Sequence, residues 1–171
     1  MDITDLVALG CRVGGKLAAR GETIAVAESS GGGLISAALL TRAGASAYYL
    51  GGAVLYTRRS RRLLTMLTAE EAAGMRSASL EYAQLLACHQ RTRFRATWGL
   101  AETGAAGPTG NIYGDPVGHA CLAVDGPASR KRMLRTGQNA RTGNMVAFAM
   151  AALELLEGAI DACQGVGDGH G

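Results

Sequence analysis

The sequence feature that most constrains the fold is an apolar, β-branched stretch that runs directly into a glycine-rich turn and a helix pattern. The stretch is 23–27 (TIAVA), the turn is 28–33 (ESSGGG), and the helix pattern is 34–40 (LISAALL). A short continuous apolar stretch of this kind is typical of a strand buried on both faces. A strand, a glycine turn and a helix in this order open an α/β fold.

The remaining hydrophobic patterns fit the same architecture. A helix over 6–17 is expected to start at a cap on Thr4 or Asp5 and to end at Gly21, and a long amphipathic helix over 68–90 is expected to start at Thr68. Further strands are predicted at 50–57, 95–101, 117–124 and 131–136, and further helices at 60–67 and 144–156. We therefore predict one domain over 1–160, a three-layer α/β/α sandwich with a mixed, mostly parallel sheet. The glycine-rich tail, 161–171, is expected to be disordered.

Composition allows a buried core and argues against several classes of partner. The chain has 171 residues, of which 48% are hydrophobic and 18% are charged, and it contains 25 glycines. A net charge of +3 is too small to indicate nucleic-acid binding. Nearly all basic residues are arginines, clustered at 58–62, 91–95 and 130–135. These clusters are either solvated surface or a site for an anionic small molecule such as a phosphate, because guanidinium groups make forked hydrogen bonds.

Several other classes of site lack their sequence signals. The four cysteines are scattered without metal-ligand spacing, and neither a G-x-G-x-x-G nor a Walker lysine motif is present. The chain opens without a signal-like segment, and its longest apolar run, 145–153, is far shorter than the roughly 20 residues of a membrane span. We therefore expect a cytoplasmic protein with no metal or cofactor, and no nucleic-acid or membrane partner.

Three segments follow predicted strands at the edge where open α/β sheets bind ligands: the Ser29 loop, the Tyr56 segment and the loop 103–110. The first segment, 27–31 (AESSG), is one residue away from the G-x-S-x-G turn that exposes a nucleophilic serine. The helix-start amides would there bind an oxyanion or a phosphate, with Gly31, Gly32 and Gly33 allowing close approach. The alternative is that Ser29 or Ser30 only caps the helix.

A serine nucleophile needs a base. His89 falls in a predicted helix and His119 in a predicted strand, neither with an obvious acidic partner, so a Ser–His–Asp triad is not favoured. Both lysines lie away from the three segments. Tyr56 is the best-placed candidate for the base, unless it is a core or rim aromatic.

Five linked motifs resemble one protein family. They are 27–34 (AESSGGGL), 43–46 (AGAS), 52–57 (GAVLYT), 103–108 (TGAAGP) and 116–118 (PVG). They resemble the A-E-S-C-T-G-G, P-G-A-S, G-x-V-x-Y-S, T-G-I-A-G-P and P-V-G motifs of the CinA C-terminal domain, the domain that stands alone in nicotinamide-nucleotide amidases. The resemblance covers roughly residues 5–157. It implies metal-free hydrolysis of nicotinamide mononucleotide to nicotinate mononucleotide and ammonia, and a homodimer.

The resemblance also assigns roles to residues. The nucleophile corresponds to Ser29 and the site tyrosine to Tyr56, while the family's general-base lysine is here Arg61. The substrate would contact the two glycine-rich loops and one arginine; the residues concerned are Ser30, Gly31, Gly32, Gly33, Thr103, Gly104, Ala106, Gly107 and Arg141. The family's G-D-R-x-x-x-R segment is here 137–143 (GQNARTG), in which Asn139 and Gly143 stand in place of the two arginines; Arg141 could take over their role after a two-residue shift of register. The lysine before P-V-G is here Asp115.

The change at Arg61 leaves two hypotheses. A guanidinium stays protonated at physiological pH, so Arg61 cannot accept the Ser29 proton. Arg61 could instead stabilise a Tyr56 phenolate that acts as the base, which would preserve an amidase. It could otherwise bind phosphate, which is also compatible with a binding protein that has lost catalysis.

Overall fold

The fold follows the order of elements that the sequence indicates. A computed structural model describes residues 2–68 and 70–163. The helices are α1 (Ile3–Arg20), α2 (Leu34–Leu40), α3 (Arg58–Thr65), α4 (Leu80–Phe94) and α5 (Arg141–Ala162), and the strands are β1 (Ile24–Glu28), β2 (Tyr49–Val54), β3 (Trp98–Ala105), β4 (His119–Asp125) and β5 (Arg130–Arg135). A single turn of 3₁₀ helix, Ala45–Ala47, precedes β2.

The five strands form one sheet in the order β2-β1-β3-β4-β5. β1 pairs in parallel with both β2 and β3, whereas β4 pairs antiparallel with β3 and β5. Four strands therefore run in one direction and β4 runs in the other. This confirms the predicted mixed, mostly parallel sheet.

Helices cover both faces of this sheet, which gives the three predicted layers. One core is built from α1, α2 and α5 against alternate strand residues such as Val26, Leu100 and Leu122. The second core packs α4 against the opposite face, around Ala101 and Cys121. All five residues of β1 are buried; the unbroken apolar pattern predicts this for 24–27, whereas Glu28 is expected in the turn.

One close approach fixes how α1 lies on α2. A Cβ built on Gly10 of α1 would stand 2.4 Å from the carbonyl oxygen of Ala38 in α2. Only glycine permits this separation of the two helices.

The predicted helix over 68–90 is wrong in its first half. Thr68 and Glu71 do exchange capping hydrogen bonds, but the chain then makes turns until α4 begins after its N-cap, Ser79. Gly74 and Ala78 have φ angles of 74° and 58°, and this left-handed backbone cannot continue a right-handed helix. The segment 70–79 is therefore a looped wall beside the ends of the strands.

Smaller corrections concern the ends of elements. The N-cap of α1 is Asp2 rather than Thr4 or Asp5, because its carboxylate accepts from both of those amides. β3 continues to Ala105, so Thr103 and Gly104 lie in a strand rather than in a loop. α5 extends to Ala162 and so includes two residues of the expected tail; residues 164–171 lie outside the described residues. No helix in the described ranges is long and apolar enough to cross a bilayer.

Candidate active site

The carboxyl ends of β1, β2 and β3 meet at one edge of the sheet and surround two adjoining cavities of about 190 and 410 Å³. Ser29, Tyr56, Gly104 and Asn111 line both of them. Together the cavities fall in the size range of small-molecule sites, roughly 300–1,000 Å³. The sheet thus brings together the three segments that the sequence singles out.

Ser29 occupies the turn between β1 and α2 and is half-buried. Its amide donates to Glu102 Oε2 at 2.9 Å. Within the described residues its hydroxyl has no hydrogen-bond partner, although it lines both cavities. The Ser29 hydroxyl is therefore open to a ligand.

Two buried carboxylates hold the glycine turn from beneath. Glu102 accepts from the amides of Ser29 (2.9 Å) and Gly31 (2.7 Å) and from the hydroxyl of Ser30. Glu28 accepts from the amides of Gly33 (3.0 Å), Ile35 (3.0 Å) and Ser36 (2.8 Å), and from the Ser36 hydroxyl at 2.5 Å. These are the amides that would otherwise form an anion-binding nest.

The expected anion site on Gly31, Gly32 and Gly33 is corrected by these bonds. The amides of Gly31 and Gly33 bind carboxylates of the chain itself, and the Gly32 amide donates to the carbonyl of Ser29. None of the three glycines lines either cavity. The turn uses its amides to fix its own shape.

Glu102 is fully buried, and this burial raises the pKa of its carboxyl above the ordinary value. The hydrogen bonds from Ser30, Gly31 and Ser29 act in the opposite direction without cancelling the effect of burial, and the nearby Glu28 charge adds to the rise. The carboxylate is thus retained in the core by three donors.

Gly104 lets the turn and β3 approach each other closely. A Cβ at this position would stand 2.3 Å from the His119 carbonyl oxygen and 2.9 Å from Ser30 Oγ. A side chain would therefore displace either β4 or Ser30, which explains why this strand position is a glycine.

Tyr56 follows β2 and is 59% exposed. Its hydroxyl accepts a hydrogen bond from Arg141 Nη2 at 3.0 Å, and the guanidinium carbon lies 5.8 Å from the ring centre. Arg141 also donates to the carbonyl of Gly107, so it ties the Tyr56 segment to the loop after β3. Arg141 therefore belongs to the site.

Arg61 does not contact Tyr56, so the hypothesis that it directly supports a Tyr56 phenolate is wrong. Its guanidinium donates to the hydroxyl of Tyr82 at 3.0 Å and lies 5.6 Å from that ring's centre. Arg61 still lines the same cavity as Ser29. It is a cationic wall residue, and the partner of Tyr56 is Arg141.

The site arginines share one arrangement. Arg58 donates to the Tyr113 hydroxyl at 3.4 Å, so each of Arg58, Arg61 and Arg141 is held by a phenol. Within the described ranges none of the three pairs with a carboxylate, whereas five arginines elsewhere do; these are Arg12, Arg20, Arg76, Arg91 and Arg132. The site therefore keeps uncompensated positive charge, which favours an anionic ligand.

Asp115 is structural in this chain. It pairs with Arg76 at 2.5 Å and accepts from the Asn111 side-chain amide at 2.8 Å. Burial alone would raise the pKa of its carboxyl, but the hydrogen bonds from Asn111 and Arg76 and the electrostatic interactions with His119 and Arg76 lower it overall. Asp115 thus anchors the 111–119 loop rather than presenting a cation, as a lysine there would.

Neither His89 nor His119 lines the cavities. His119 is buried, with Nε2 donating to the Ala78 carbonyl at 2.9 Å, and it does have an acidic neighbour, Asp115, at 3.7 Å. His89 binds the Thr65 carbonyl through Nε2 at 2.7 Å. Among the described residues no cluster of three His, Cys, Asp or Glu side chains could hold a metal ion.

Most of the residues that the sequence singles out line the cavities: Ser29, Ser30, Tyr56, Arg61, Thr103, Gly104, Ala106, Gly107 and Arg141. Sequence reasoning missed further polar wall residues, namely Arg58, Ser77, Tyr82, Asn111 and Tyr113. Only Arg58 had a signal, because it lies in an arginine cluster. Glu28 and Glu102 could also have been found, since each acid stands at a buried strand position directly before a glycine-containing segment.

This sheet and site define a class of protein, and comparisons with known proteins agree on which one. The model of the CinA C-terminal domain family matches residues 7–160. A CinA-like protein of Anaeromyxobacter sp. (strain Fw109-5) is 37% identical over 141 residues, which cover 82% of this chain and 34% of the relative. A CinA-like protein of Acaryochloris marina is 37% identical over 115 residues, covering 67% of this chain and 27% of the relative.

Solved structures agree. The competence/damage inducible protein CihA of Agrobacterium tumefaciens has a TM-score of 0.82 and 32% identity, covering 91% of this chain and 95% of that one. A CinA superfamily protein of Klebsiella pneumoniae has a TM-score of 0.84 and 26% identity, covering 92% of this chain and 98% of that one. The chain therefore belongs to the CinA C-terminal domain family. It spans about a third of the length of the curated relatives it matches.

Proposed function

We propose that this chain is a serine amidohydrolase that hydrolyses the carboxamide of nicotinamide mononucleotide or a related pyridine nucleotide. The reaction class comes from the resemblance of its five motifs to nicotinamide-nucleotide amidases. Its strongest support in the structure is that Ser29 and Tyr56 line the same two cavities, with Arg141 bound to the Tyr56 hydroxyl. The cationic walls suit an anionic, nucleotide-like substrate.

The reaction takes place in two steps. In the first, the Ser29 hydroxyl gives its proton to a Tyr56 phenolate and its oxygen attacks the carboxamide carbon. The tetrahedral intermediate expels ammonia, which takes the proton back from Tyr56, and an ester to Ser29 remains. In the second step, water gives a proton to Tyr56 and the resulting hydroxide attacks the ester; as the tetrahedral intermediate collapses, Tyr56 returns that proton to the departing Ser29 oxygen, which releases the carboxylic acid and restores both the serine and the Tyr56 phenolate. Arg141 remains hydrogen-bonded to Tyr56 Oη throughout and keeps a positive charge beside it.

The oxyanion of the intermediate needs a donor that the turn has not already used. The amides of Ser29 and Gly31 both donate to Glu102. Among the described residues, no acceptor takes the Ser30 amide, so we assign this amide to the oxyanion. An amide directly after the nucleophile has this role in other serine hydrolases with a strand–turn–helix site.

A second candidate function is binding of the same class of ligand without catalysis. It is favoured by the arginine at the position of the family's lysine, and by the engagement of that arginine with Tyr82 rather than with Ser29 or Tyr56. A guanidinium cannot serve as a base. In this alternative the cationic cavities still bind the ligand, and Ser29 does not act as a nucleophile.

Release of ammonia from nicotinamide mononucleotide separates the two candidates. We expect Ser29→Ala to lower kcat by roughly 10³-fold or more, and Tyr56→Phe by roughly 10²-fold or more because general-base catalysis is lost. The matched control is Ser46→Ala, an exposed serine outside both cavities, with unchanged rate. Binding of the mononucleotide without ammonia release by the unaltered protein would reject the amidase and establish the binding protein.

The proposal extends to a cytoplasmic location and a homodimer, both of which the family resemblance implies. Four free cysteines in the described chain are compatible with a reducing compartment. Light scattering of the purified protein tests the dimer, since a monomer mass would contradict it.

A further inference from the structure

A third cavity, the annex, opens beside the smaller of the two site cavities. It has a volume of about 200 Å³ and shares Arg58, Arg61, Ser77 and Tyr113 with that cavity. Ala72 and Met75 close its other side. This wall is the looped segment 70–79, so the annex exists because the chain does not form a helix there.

The polar side chains of the annex are all hydrogen-bond donors. Two are guanidinium groups and two are hydroxyls, and no carboxylate lines the space. Arg58 is held by Tyr113 and Arg61 by Tyr82, so both arginines are fixed by neutral phenols that leave their charge uncompensated. A fixed pair of arginines without a counter-charge is an arrangement that binds anions.

The electrostatics at Tyr113 agree with this geometry. A hydrogen bond from Ser77, followed by a hydrogen bond from Arg58 and the charges of Arg58 and Arg61, lowers the pKa of the Tyr113 phenol below its ordinary value. The same surroundings would stabilise negative charge on a bound ligand.

We propose that the annex binds the phosphate group of a phosphate monoester whose reacting group lies at Ser29. This inference rests on the proposed function and deepens it, because it makes the phosphate the recognised part of the substrate. A phosphate dianion offers three terminal oxygens to the two guanidinium forks and to the Tyr113 hydroxyl, to which Ser77 donates. Arg141 lines the other cavity and not the annex, so it remains with Tyr56 and is not required for phosphate.

The test compares binding of nicotinamide mononucleotide with binding of its dephosphorylated nucleoside by isothermal titration calorimetry. Ser29→Ala is used as the background so that turnover does not interfere. We expect Arg58→Gln and Arg61→Gln each to weaken binding of the mononucleotide by roughly tenfold or more, since each removes a charge-assisted contact. Binding of the nucleoside should change less than twofold. Arg58→Lys keeps the charge but loses the forked hydrogen bonds, so its affinity for the mononucleotide should lie between those of the background protein and of Arg58→Gln.

The same helix offers matched controls. Arg59 and Arg62 are exposed residues of α3 that line neither the annex nor the site cavities. Arg59→Gln and Arg62→Gln should change affinity for the mononucleotide less than twofold. Larger losses would mean that general positive charge, rather than the annex, attracts the ligand, and this would overturn the proposal.

Binding measurements with inorganic phosphate and adenosine monophosphate test the annex proposal independently of the amidase proposal. If the unaltered protein releases no ammonia but binds these anions in a manner lost in the Arg58→Gln/Arg61→Gln double variant, the annex stands and the amidase falls. If no phosphate compound binds, or if the double variant binds each as tightly as the unaltered protein, the annex is rejected. Circular dichroism and thermal unfolding confirm that each variant is folded.

Discussion

The two walls of the site handle charge in opposite ways. On one wall, the turn after β1 has its amides occupied by Glu28 and Glu102, so its hydrogen-bonding capacity is used inside the protein. On the other wall, Arg58 and Arg61 are held by phenols and their charge faces the cavities. The first wall is fixed by hydrogen bonds to two buried carboxyl groups, and the second presents uncompensated positive charge.

The difference shows how one loop can be rigid and still sit beside an anion site. A glycine turn at a helix start commonly binds a phosphate directly. Here internal carboxylates take that place, and we propose that side chains on α3 and in the 111–119 loop recognise the anion instead. We therefore expect the acidic residues to control stability and the arginines to control ligand affinity.

The largest expected effect on stability is that of Glu102→Ala. The change leaves the part-buried Ser29 amide, the buried Gly31 amide and the buried Ser30 hydroxyl without their acceptor, and each unsatisfied buried group costs about 1–3 kcal/mol. The free energy of unfolding, measured with urea, should fall by roughly 3 kcal/mol or more. Glu154→Ala is the control, because the Glu154 side chain is 48% exposed and its ion pair with Arg132 lies on the surface. Its effect should be within about 1 kcal/mol, and equal losses in both variants would contradict the assigned role.

A smaller effect separates the two neighbouring serines. Ser30 is buried and donates to Glu102, whereas the Ser29 hydroxyl faces the cavities. Ser30→Ala removes one of three donors, so we expect the free energy of unfolding to fall by about 1–2 kcal/mol. The rate of ammonia release should stay within about threefold of the unaltered protein, in contrast to Ser29→Ala. A loss of rate as large as that of Ser29→Ala would remove the assignment of Ser29 as sole nucleophile.

The local sequence pattern predicted those helices and strands that are specified by their own residues. The buried strand β1, the helix α2 and the order of helices and strands along the chain follow from apolar periodicity and glycine turns. The helix over 68–90 was wrong because the backbone of Ala78 is held by distant residues. Its amide donates to Thr103 Oγ1, and its carbonyl accepts from His119 and Cys121. No periodicity within 68–90 encodes these contacts.

The site residues likewise fall into those that the local sequence predicted and those that depend on distant contacts. Ser29, Tyr56 and Gly104 were predicted because parallel strands end at one edge of a sheet. The partners of the arginines were not, because Tyr82 lies 21 residues from Arg61, and Tyr113 lies 55 residues from Arg58, on different elements. The sequence therefore indicated which loops meet, while the pairing of side chains across them required the fold.

Away from the site, arginines that pair with carboxylates stabilise the fold, whereas the site arginines keep their charge available to a ligand. Arg12 of α1 donates two hydrogen bonds to Glu157 of α5, at 2.8 and 3.0 Å, and Lys16 lies 3.0 Å from the same carboxylate. These contacts join the first and last helices. Arg12 and Lys16 thus differ from Arg58 and Arg61, which pair with no carboxylate. Removal of Arg58 or Arg61 should affect ligand binding rather than folding.

The smallest expected effect concerns this pair and its dependence on pH. The hydrogen bond from Arg12, with Lys16 and the two positive charges, lowers the pKa of Glu157 from 4.5 to about 2 in spite of partial burial. A lowered pKa in the folded state stabilises the fold above the unfolded pKa, and this contribution is lost as pH falls from about 4.5 through about 2. Because Arg12 is 57% exposed, solvent screening reduces the contribution to about 1 kcal/mol. Glu157→Gln should therefore unfold about 1 kcal/mol more easily at neutral pH and should converge with the unaltered protein near pH 2. Glu154→Gln, on the same helix, should show no such convergence, and a difference at Glu157 that is constant from neutral pH to pH 2 would exclude the ion pair as its cause.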